Sequence, residues 1–201
     1  MKKLIAIFTA FLVTISLTSC GGPSPTDISA TFLDGIKEFN PKTIASVYAT
    51  ADKDKIDDLD LDEEDQAMLD RLNEDPFNKM LAFDYDLSNE QIKDDKATVD
   101  VTITTFDLSK PYENFMKKFF LAAFSMDENT SDEEMTEKMI TLAADELKPL
   151  TEKTYTKTAT IDLVKVDDQW KIAEIDDNED LINALTGGLL DLMNATDNIF
   201  N

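Results

Sequence analysis

The chain is rich in carboxylates and lacks the side chains on which many catalytic sites are built. Its 201 residues include 42 Asp and Glu, 19 Lys and Arg, one cysteine and no histidine. A Ser-His-Asp or Cys-His nucleophile system therefore cannot form, and metal sites with imidazole ligands are excluded. The chemistry left open is carboxylate catalysis, lysine chemistry and the binding of hard cations.

The densest acidic run, residues 52–65, invites comparison with a calcium-binding loop. Asp58, Asp60 and Asp62 have the spacing of the first, third and fifth positions of an EF-hand. The sixth position would be Glu63, where the turn needs glycine, and the twelfth would be Leu69, where a bidentate glutamate is needed. We therefore expect a solvated loop and a charged helix start here, with no metal site and no cofactor.

Neighbouring carboxylates are the remaining candidates for acid–base catalysis. Three such pairs are Asp57 with Asp58, Asp84 with Asp86, and Asp176 with Asp177. General acid–base work needs two carboxyls in different environments within one cleft. Because acids are so numerous in this chain, sequence neighbours carry little weight, and no catalytic residue is assigned.

The N-terminal residues have the pattern of a bacterial export signal. Lys2 and Lys3 are followed by residues 4–17, which are apolar or small apart from two threonines and a serine. This stretch is too short to cross a hydrocarbon core, which takes roughly 20 helical residues, but it suits a signal peptide. We expect residues 1–19 to be a leader; a core helix is the alternative.

The leader ends in Leu17-Thr18-Ser19-Cys20, which resembles the lipobox of bacterial lipoproteins. The resemblance implies cleavage before Cys20 and a lipid on its sulfur, so the protein would be anchored to a membrane of the cell envelope with an extracytoplasmic domain. Residues 20–25 would form a lipidated tether, and residues 26–201 a single domain. The alternative is an ordinary signal peptide with an incidental cysteine.

The charge limits the partners. The full chain carries −23, and loss of the leader removes Lys2 and Lys3, which leaves 42 acids against 17 bases, or −25. Such a charge repels nucleic acid and anionic lipid head groups. Nucleic-acid binding is therefore excluded, while solubility or attraction for a cationic partner remains.

Hydrophobic spacing predicts helices, two strands, helices, two strands and a helix. Helical spacing occurs near residues 26–39, 41–48, 62–72, 109–124, 131–148 and 180–194, and alternation occurs near 81–87, 97–104, 154–166 and 170–175. Thr26 or Asp27 is the expected first helix cap, and Ser131 with Glu134 matches a capping box. Segregated runs of this kind indicate an α+β fold with an antiparallel sheet.

Three segments resemble NTF2-like and cystatin-like α+β domains of small bacterial lipoproteins. They are residues 32–42, a helix followed by a polar break; residues 99–107, a strand that leads into a helix; and residues 164–172, an acidic turn followed by Trp170. The resemblance implies N-terminal helices packed on a curved antiparallel sheet of about four strands. The helical insertion between the strand pairs is longer than a minimal domain of this kind needs, and no family catalytic residue is matched.

One aromatic stripe could serve either the core or a pocket. The residues of this stripe that are candidates for pocket lining are Tyr112, Phe115, Met116, Phe119 and Phe120. Packing of their helix onto the sheet is one interpretation, and an apolar pocket on the concave face of the sheet is the other. Trp170 is expected in the core.

These observations favour a non-enzymatic, lipid-anchored module that binds a small apolar ligand or an envelope protein. Two alternatives stay open. One is a carboxylate-based enzyme acting on cell-wall glycan, which would need two carboxyls inside one cavity, one of them with a raised pKa. The other is an accessory subunit of a membrane assembly, which would expose an apolar patch of several hundred Å².

Overall fold

The computed structural model describes residues 22–50, 63–124 and 130–200. The expected leader, the lipidation site Cys20 and most of the acidic run 52–65 therefore lie outside the described residues. Among the helices that are described, none is long and apolar enough to cross a membrane.

The domain begins with two short helices. Helix α1 spans Pro25–Lys37 and is capped by Ser24, whose side chain accepts from the Asp27 amide while the Asp27 carboxylate accepts from the Ser24 amide. The expected cap at Thr26 or Asp27 was therefore wrong, because the capping box starts two residues earlier and uses Asp27 as its third helical residue. Helix α2 spans Pro41–Val47 with Asn40 as its cap, and Pro41 occupies the first turn, where a missing amide donor costs nothing.

A third helix, α3, spans Glu63–Leu72, and a 3₁₀ turn follows at Phe77–Met80. Helical spacing places Met68, Leu69 and Leu72 on one side of α3 and predicts that this side faces inward. Leu72 is half-buried, but 63% of Met68 is exposed. The helix has few partners, since its extensive contacts are with the 3₁₀ turn. The predicted inner face of α3 is therefore wrong at Met68.

The sheet is an open antiparallel meander. Strands β1 (Asp84–Lys93), β2 (Lys96–Thr105), β3 (Tyr155–Val166) and β4 (Gln169–Ile172) lie in that order. One face is buried at Val99, Val101 and Ile103, as the alternation predicted. The other face is wet and carries threonine pairs across β2 and β3, such as Thr102 with Thr158, whose hydroxyl oxygens are 2.9 Å apart.

Local irregularities of the sheet differ from the prediction. Val164 and Val166 shift the phase of the alternation in the sequence, which predicts a bulge or a bend there. In the structure β3 pairs with β2 without interruption, and the register shift lies between Ser88 and Gln91 of β1. The turn at Asp167 and Asp168 was predicted, and both residues have positive φ angles of 49° and 61°. This geometry matches the right-handed twist of the adjoining strands.

Two helices are inserted between β2 and β3, as the sequence predicted. Helix α4 spans Ser109–Phe124, and helix α5 spans Asp132–Leu147. The expected capping box of α5 is confirmed, with the Ser131 Oγ accepting from the Glu134 amide. The two helices pack on each other, and α4 also contacts the C-terminal helix, but α4 makes no extensive contact with the sheet.

The predicted last helix is divided in two. Helix α6 spans Glu179–Leu185 and helix α7 spans Leu189–Phe200. Gly187 and Gly188 between them have φ angles of 58° and 85°, a conformation that glycine adopts without strain. The glycines end one helix and start another rather than weakening a single helix.

The core lies between the buried face of the sheet, α1 and α6. Its members with the least exposure include Phe32, Leu33, Phe83, Ile161 and Leu181. Trp170, expected in the core, is half-buried at its margin. The structure thus shows an α+β domain with a four-stranded antiparallel sheet.

Candidate functional site

An apolar groove of about 170 Å³ lies between the 3₁₀ turn, α4, α5 and the start of α7. Its lining residues are Met80, Leu108, Pro111, Tyr112, Phe115, Ala143, Glu146, Leu147 and Leu189. Its floor joins a small second core of Phe106, Leu108 and Leu147. Sequence-distant segments therefore meet here around one apolar concavity.

Three contacts hold the walls of the groove together. The Leu108 amide donates to the Gly187 carbonyl at 3.0 Å, which ties the start of α4 to the loop before α7. The Lys79 ammonium donates to the Leu147 and Lys148 carbonyls at 3.1 and 3.0 Å, at the C-terminal end of α5. A cation at this end of a helix is stabilised by the helix dipole.

The charged member of the lining, Glu146, is neutralised from outside the groove. Its carboxylate accepts from the Lys118 ammonium and, at 3.0 Å, from the Asn114 amide. The hydrogen bond from Lys118 lowers the pKa of Glu146, so this carboxyl is ionised at neutral pH and paired. The groove consequently offers a bound group apolar contacts and a carboxylate that already has its partners.

The predicted pocket residues divide into two sets. Tyr112 and Phe115 line the groove, whereas Met116 and Phe119 are half-buried elsewhere on α4 and Phe120 is 53% exposed. The pocket was expected on the concave face of the sheet, whereas the groove lies between the 3₁₀ turn, α4, α5 and α7, and α1 and α6 cover the buried face of the sheet. Sequence reasoning missed the contributions of Met80, Ala143 and Leu189, because their meeting depends on long-range packing.

Beyond the groove, α4 carries an exposed apolar surface. We call the set Phe120, Leu121 and Phe124 the α4 patch; these residues are 53%, 70% and 89% exposed. The ring of Phe119 lies 6.2 Å from that of Phe115 and 5.7 Å from that of Phe120, so aromatic contacts join the groove to the patch. With aromatic side chains of roughly 200 Å² each, the patch exposes on the order of 400 Å², the size of patches that are often functional.

A second concavity, of about 630 Å³, is acidic and open. It lies on the wet face and is lined by Asp100, Asp162, Glu174, Asp177, Glu179 and Asp180 among other residues. Hydrogen bonds from Asn89 and Thr160 to Asp100, at 2.8 and 2.9 Å, lower the pKa of this carboxyl. Within residues 22–50, 63–124 and 130–200, no group of three or more acidic or thiol side chains is arranged to hold a metal ion.

The groove and the N-terminal end of α1, where the predicted tether would join the domain, lie at opposite ends of the sheet. We call the end with Lys93, Lys96 and Val166 the tether end, because the Thr26 amide of α1 donates to Glu90 of β1 there. The groove lies at the far end, where β2 finishes at Thr105 and leads to Leu108. The ten residues of β2 place these ends about 30 Å apart at roughly 3.3 Å per residue.

The fold and groove define a small α+β domain with an apolar recess and no recognisable catalytic constellation in the described part of the chain. The family described as "Domain of unknown function (DUF5105)" matches residues 37–186, about three quarters of the chain, and the protein belongs to this family. The match includes the sheet, the two inserted helices and α6.

Comparison with solved structures finds one protein from Bacillus subtilis, ycdA, which is provisionally classed as a lipoprotein. It is 19% identical in sequence, with a TM-score of 0.40 over 82% of this chain. The chain spans about half of that protein, 48% of its length. No curated protein matches the sequence.

Proposed function

We propose that this protein is a lipid-anchored envelope module that binds a protein partner through the apolar groove and the adjoining α4 patch. The groove carries the proposal. Pockets for whole small-molecule ligands usually measure about 300–1,000 Å³, whereas this groove measures about 170 Å³. That volume suits one or two apolar side chains of a partner, which favours a protein over a small apolar ligand.

The α4 patch supports the same proposal. An exposed patch of this size next to a recess has the arrangement of a protein interface, in which apolar anchors enter pockets at the centre. The position of the groove, about 30 Å from the tether end, would hold it away from a membrane to which Cys20 is anchored. A role as an accessory subunit of a membrane assembly is one form of this function.

We propose further that the role is non-catalytic. A glycan-cleaving pair needs one carboxyl whose pKa is raised so that it can donate a proton near neutral pH. In the acidic concavity, Asp100 instead has a lowered pKa. This favours a binding role over the carboxylate-enzyme alternative.

The assignment to NTF2-like or cystatin-like domains is likewise a proposal. The placement of α1 across one face of a four-stranded antiparallel sheet supports it. The long insertion of α4 and α5 is a departure from a minimal domain of that kind.

Site-specific photocrosslinking in intact cells tests the binding function. A benzophenone side chain at Met80, which lines the groove, should form a discrete protein adduct, and the same side chain at Asp86 on the wet face should not. Ala143→Phe should abolish the Met80 adduct because the new ring fills the groove. Equal adducts at Met80 and Asp86, or a Met80 adduct that persists in Ala143→Phe protein with a normal melting temperature, would refute the proposal.

Anchoring is tested separately by metabolic labelling with a fatty acid. The wild-type protein should incorporate the label, and Cys20→Ala should not. Labelling of the Cys20→Ala protein, or none of the wild type, would exclude lipidation at Cys20.

A further inference from the structure

A hollow of about 450 Å³ lies at the tether end, next to the point where the chain enters the domain. Gly22 and Pro23 form part of its wall, and Ile92 and Trp170 form another part. The first described residues of the chain therefore share one hollow with a tryptophan and an exposed isoleucine.

Chain geometry brings this end close to the anchor. Cys20 is two peptide links from Gly22, and consecutive Cα atoms are about 3.8 Å apart, so the two Cα atoms lie within about 8 Å of each other. If Cys20 carries acyl chains in a bilayer, which is part of the proposed function, Gly22 is held at the level of the lipid head groups. The surface around Gly22 must then face the membrane.

The side chains at this end have the composition of membrane-interface residues. Ile92 is 55% exposed and Val166 is 37% exposed. Trp170 is half-buried, and the Lys165 ammonium lies 5.4 Å from the centroid of its ring. Tryptophan favours the boundary between head groups and acyl chains, and lysine can bury its stem there while its ammonium stays in water.

The charge at this end also suits a membrane surface better than the protein as a whole does. The two turns at the tether end contain four aspartates, which four lysines on the adjoining strands balance. The lysines are Lys93, Lys96, Lys165 and Lys171, and the aspartates are Asp94, Asp95, Asp167 and Asp168. Two further acids lie beside the hollow: Glu90 accepts from the Thr26 amide and hydroxyl, and Asp27 accepts from the Ser24 amide and hydroxyl. This end therefore carries six acids against four lysines, a net −2 in a chain with a net charge of −23. Repulsion by anionic lipids is weaker here than for the chain as a whole.

We infer that the tether end is a membrane-contact surface on which Trp170 and Ile92 enter the lipid interface beside the anchored N-terminus. The domain then stands with its sheet directed away from the bilayer. This orientation presents the groove about 30 Å above the surface, where a partner in the envelope can reach it.

Trp170 is the single tryptophan of the chain, so its fluorescence reports on this contact directly. The full lipid-modified protein is reconstituted into vesicles of phosphatidylcholine and phosphatidylglycerol, with and without bromine atoms on the acyl chains. Insertion to a depth of roughly 5–10 Å should let brominated lipid reduce Trp170 fluorescence by about half. Absence of quenching in protein that floats with the vesicles would overturn the inference.

Two variants sharpen the test. Trp170→Phe combined with Glu152→Trp moves the reporter to the far end, where Lys153 is paired with Asp84 at 2.8 Å, and this protein should show no quenching. Ile92→Glu should reduce the quenching of Trp170 without changing the melting temperature, because Ile92 is exposed. Quenching at position 152, or unchanged quenching in Ile92→Glu, would overturn the inference.

Flotation separates the two proposals. If the wild-type protein floats with the vesicles, Cys20→Ala does not, and Trp170 is not quenched, then the contact surface is refuted and anchoring stands. Wild-type protein that fails to float refutes anchoring, and the membrane contact with it.

Discussion

Gly187→Ala should destabilise the protein strongly, because this glycine connects α6 to α7 in a conformation that alanine resists. Its φ angle is +58°, and a Cβ added here would lie 2.1 Å from the Phe106 carbonyl oxygen. The left-handed conformation costs a side-chain-bearing residue roughly 1–2 kcal/mol. Backbone movement away from the clash would also disturb the bond from the Leu108 amide to the Gly187 carbonyl, worth about 1 kcal/mol.

Together these effects predict a loss of about 3 kcal/mol in the free energy of unfolding. For a chain of this size, each kcal/mol shifts Tm by about 2–4 °C, so Tm should fall by about 6–12 °C. Urea unfolding followed by Trp170 fluorescence measures the free energy, and circular dichroism measures Tm. The groove should also lose binding, because Leu108 and Leu189 line it on either side of this contact.

Two glycines serve as controls for Gly187→Ala. Gly22→Ala should be neutral, because a Cβ at Gly22 meets no atom within 4 Å. Gly188→Ala should cost less than Gly187→Ala, because its Cβ would meet the Ser109 and Tyr155 side chains, which can move, rather than backbone. A Gly187→Ala protein as stable as wild type, or one no less stable than Gly188→Ala, would show that the reasoning is wrong.

Three further predictions concern individual side chains. Burial and a 2.8 Å hydrogen bond to Asp34 raise the pKa of Tyr85 to about 12. The stabilising effect of Tyr85 is therefore complete below pH 10 and is lost as the pH rises from 10 to 12. Asp34→Asn should lower this pKa in an ultraviolet titration, and an unchanged value would contradict the assignment. Asn183→Ala should lower the free energy of unfolding in urea by about 2–3 kcal/mol, because buried Asn183 donates to Tyr155 and accepts from the Asp191 amide. A loss under about 0.5 kcal/mol would contradict this. Ser131→Ala should lower the free energy of unfolding by about 1 kcal/mol because it removes the cap of α5, whereas Ser131→Asp should retain most of the stability. Equal losses in both variants would argue against capping.

The local rules of secondary structure predicted much of this fold from the sequence. Alternation placed β2 to within one residue at each end, and the capping box at Ser131 placed the start of α5, because these signals depend on residues within a few positions of each other. The strand predicted at 81–87 overlaps only the first part of β1, which spans Asp84–Lys93. The prediction failed at Gly187 and Gly188, where one helix was expected. Two adjacent glycines are compatible with a helix or a break, and contact with Phe106, about 80 positions earlier, favours the break.

The candidate site was only partly accessible to sequence reasoning. The stripe on α4 identified Tyr112 and Phe115, but helical spacing could not distinguish a face packed on the sheet from one packed on α5 and α7. Both arrangements bury the same residues on the same side of one helix. Phe120 was placed on the same stripe, and the structure leaves 53% of it exposed outside the groove.

The sequence by itself determined the absence of histidine-based sites and the α+β order of the elements, and its N-terminal segment predicts a membrane anchor. Those properties follow from composition and from short-range patterns. Only the tertiary structure decided that the groove forms between the 3₁₀ turn, α4, α5 and α7, and that it lies at the opposite end of the sheet from the tether. Both depend on contacts between residues far apart in the chain, and the free energy of such contacts depends on how whole elements pack rather than on any local pattern.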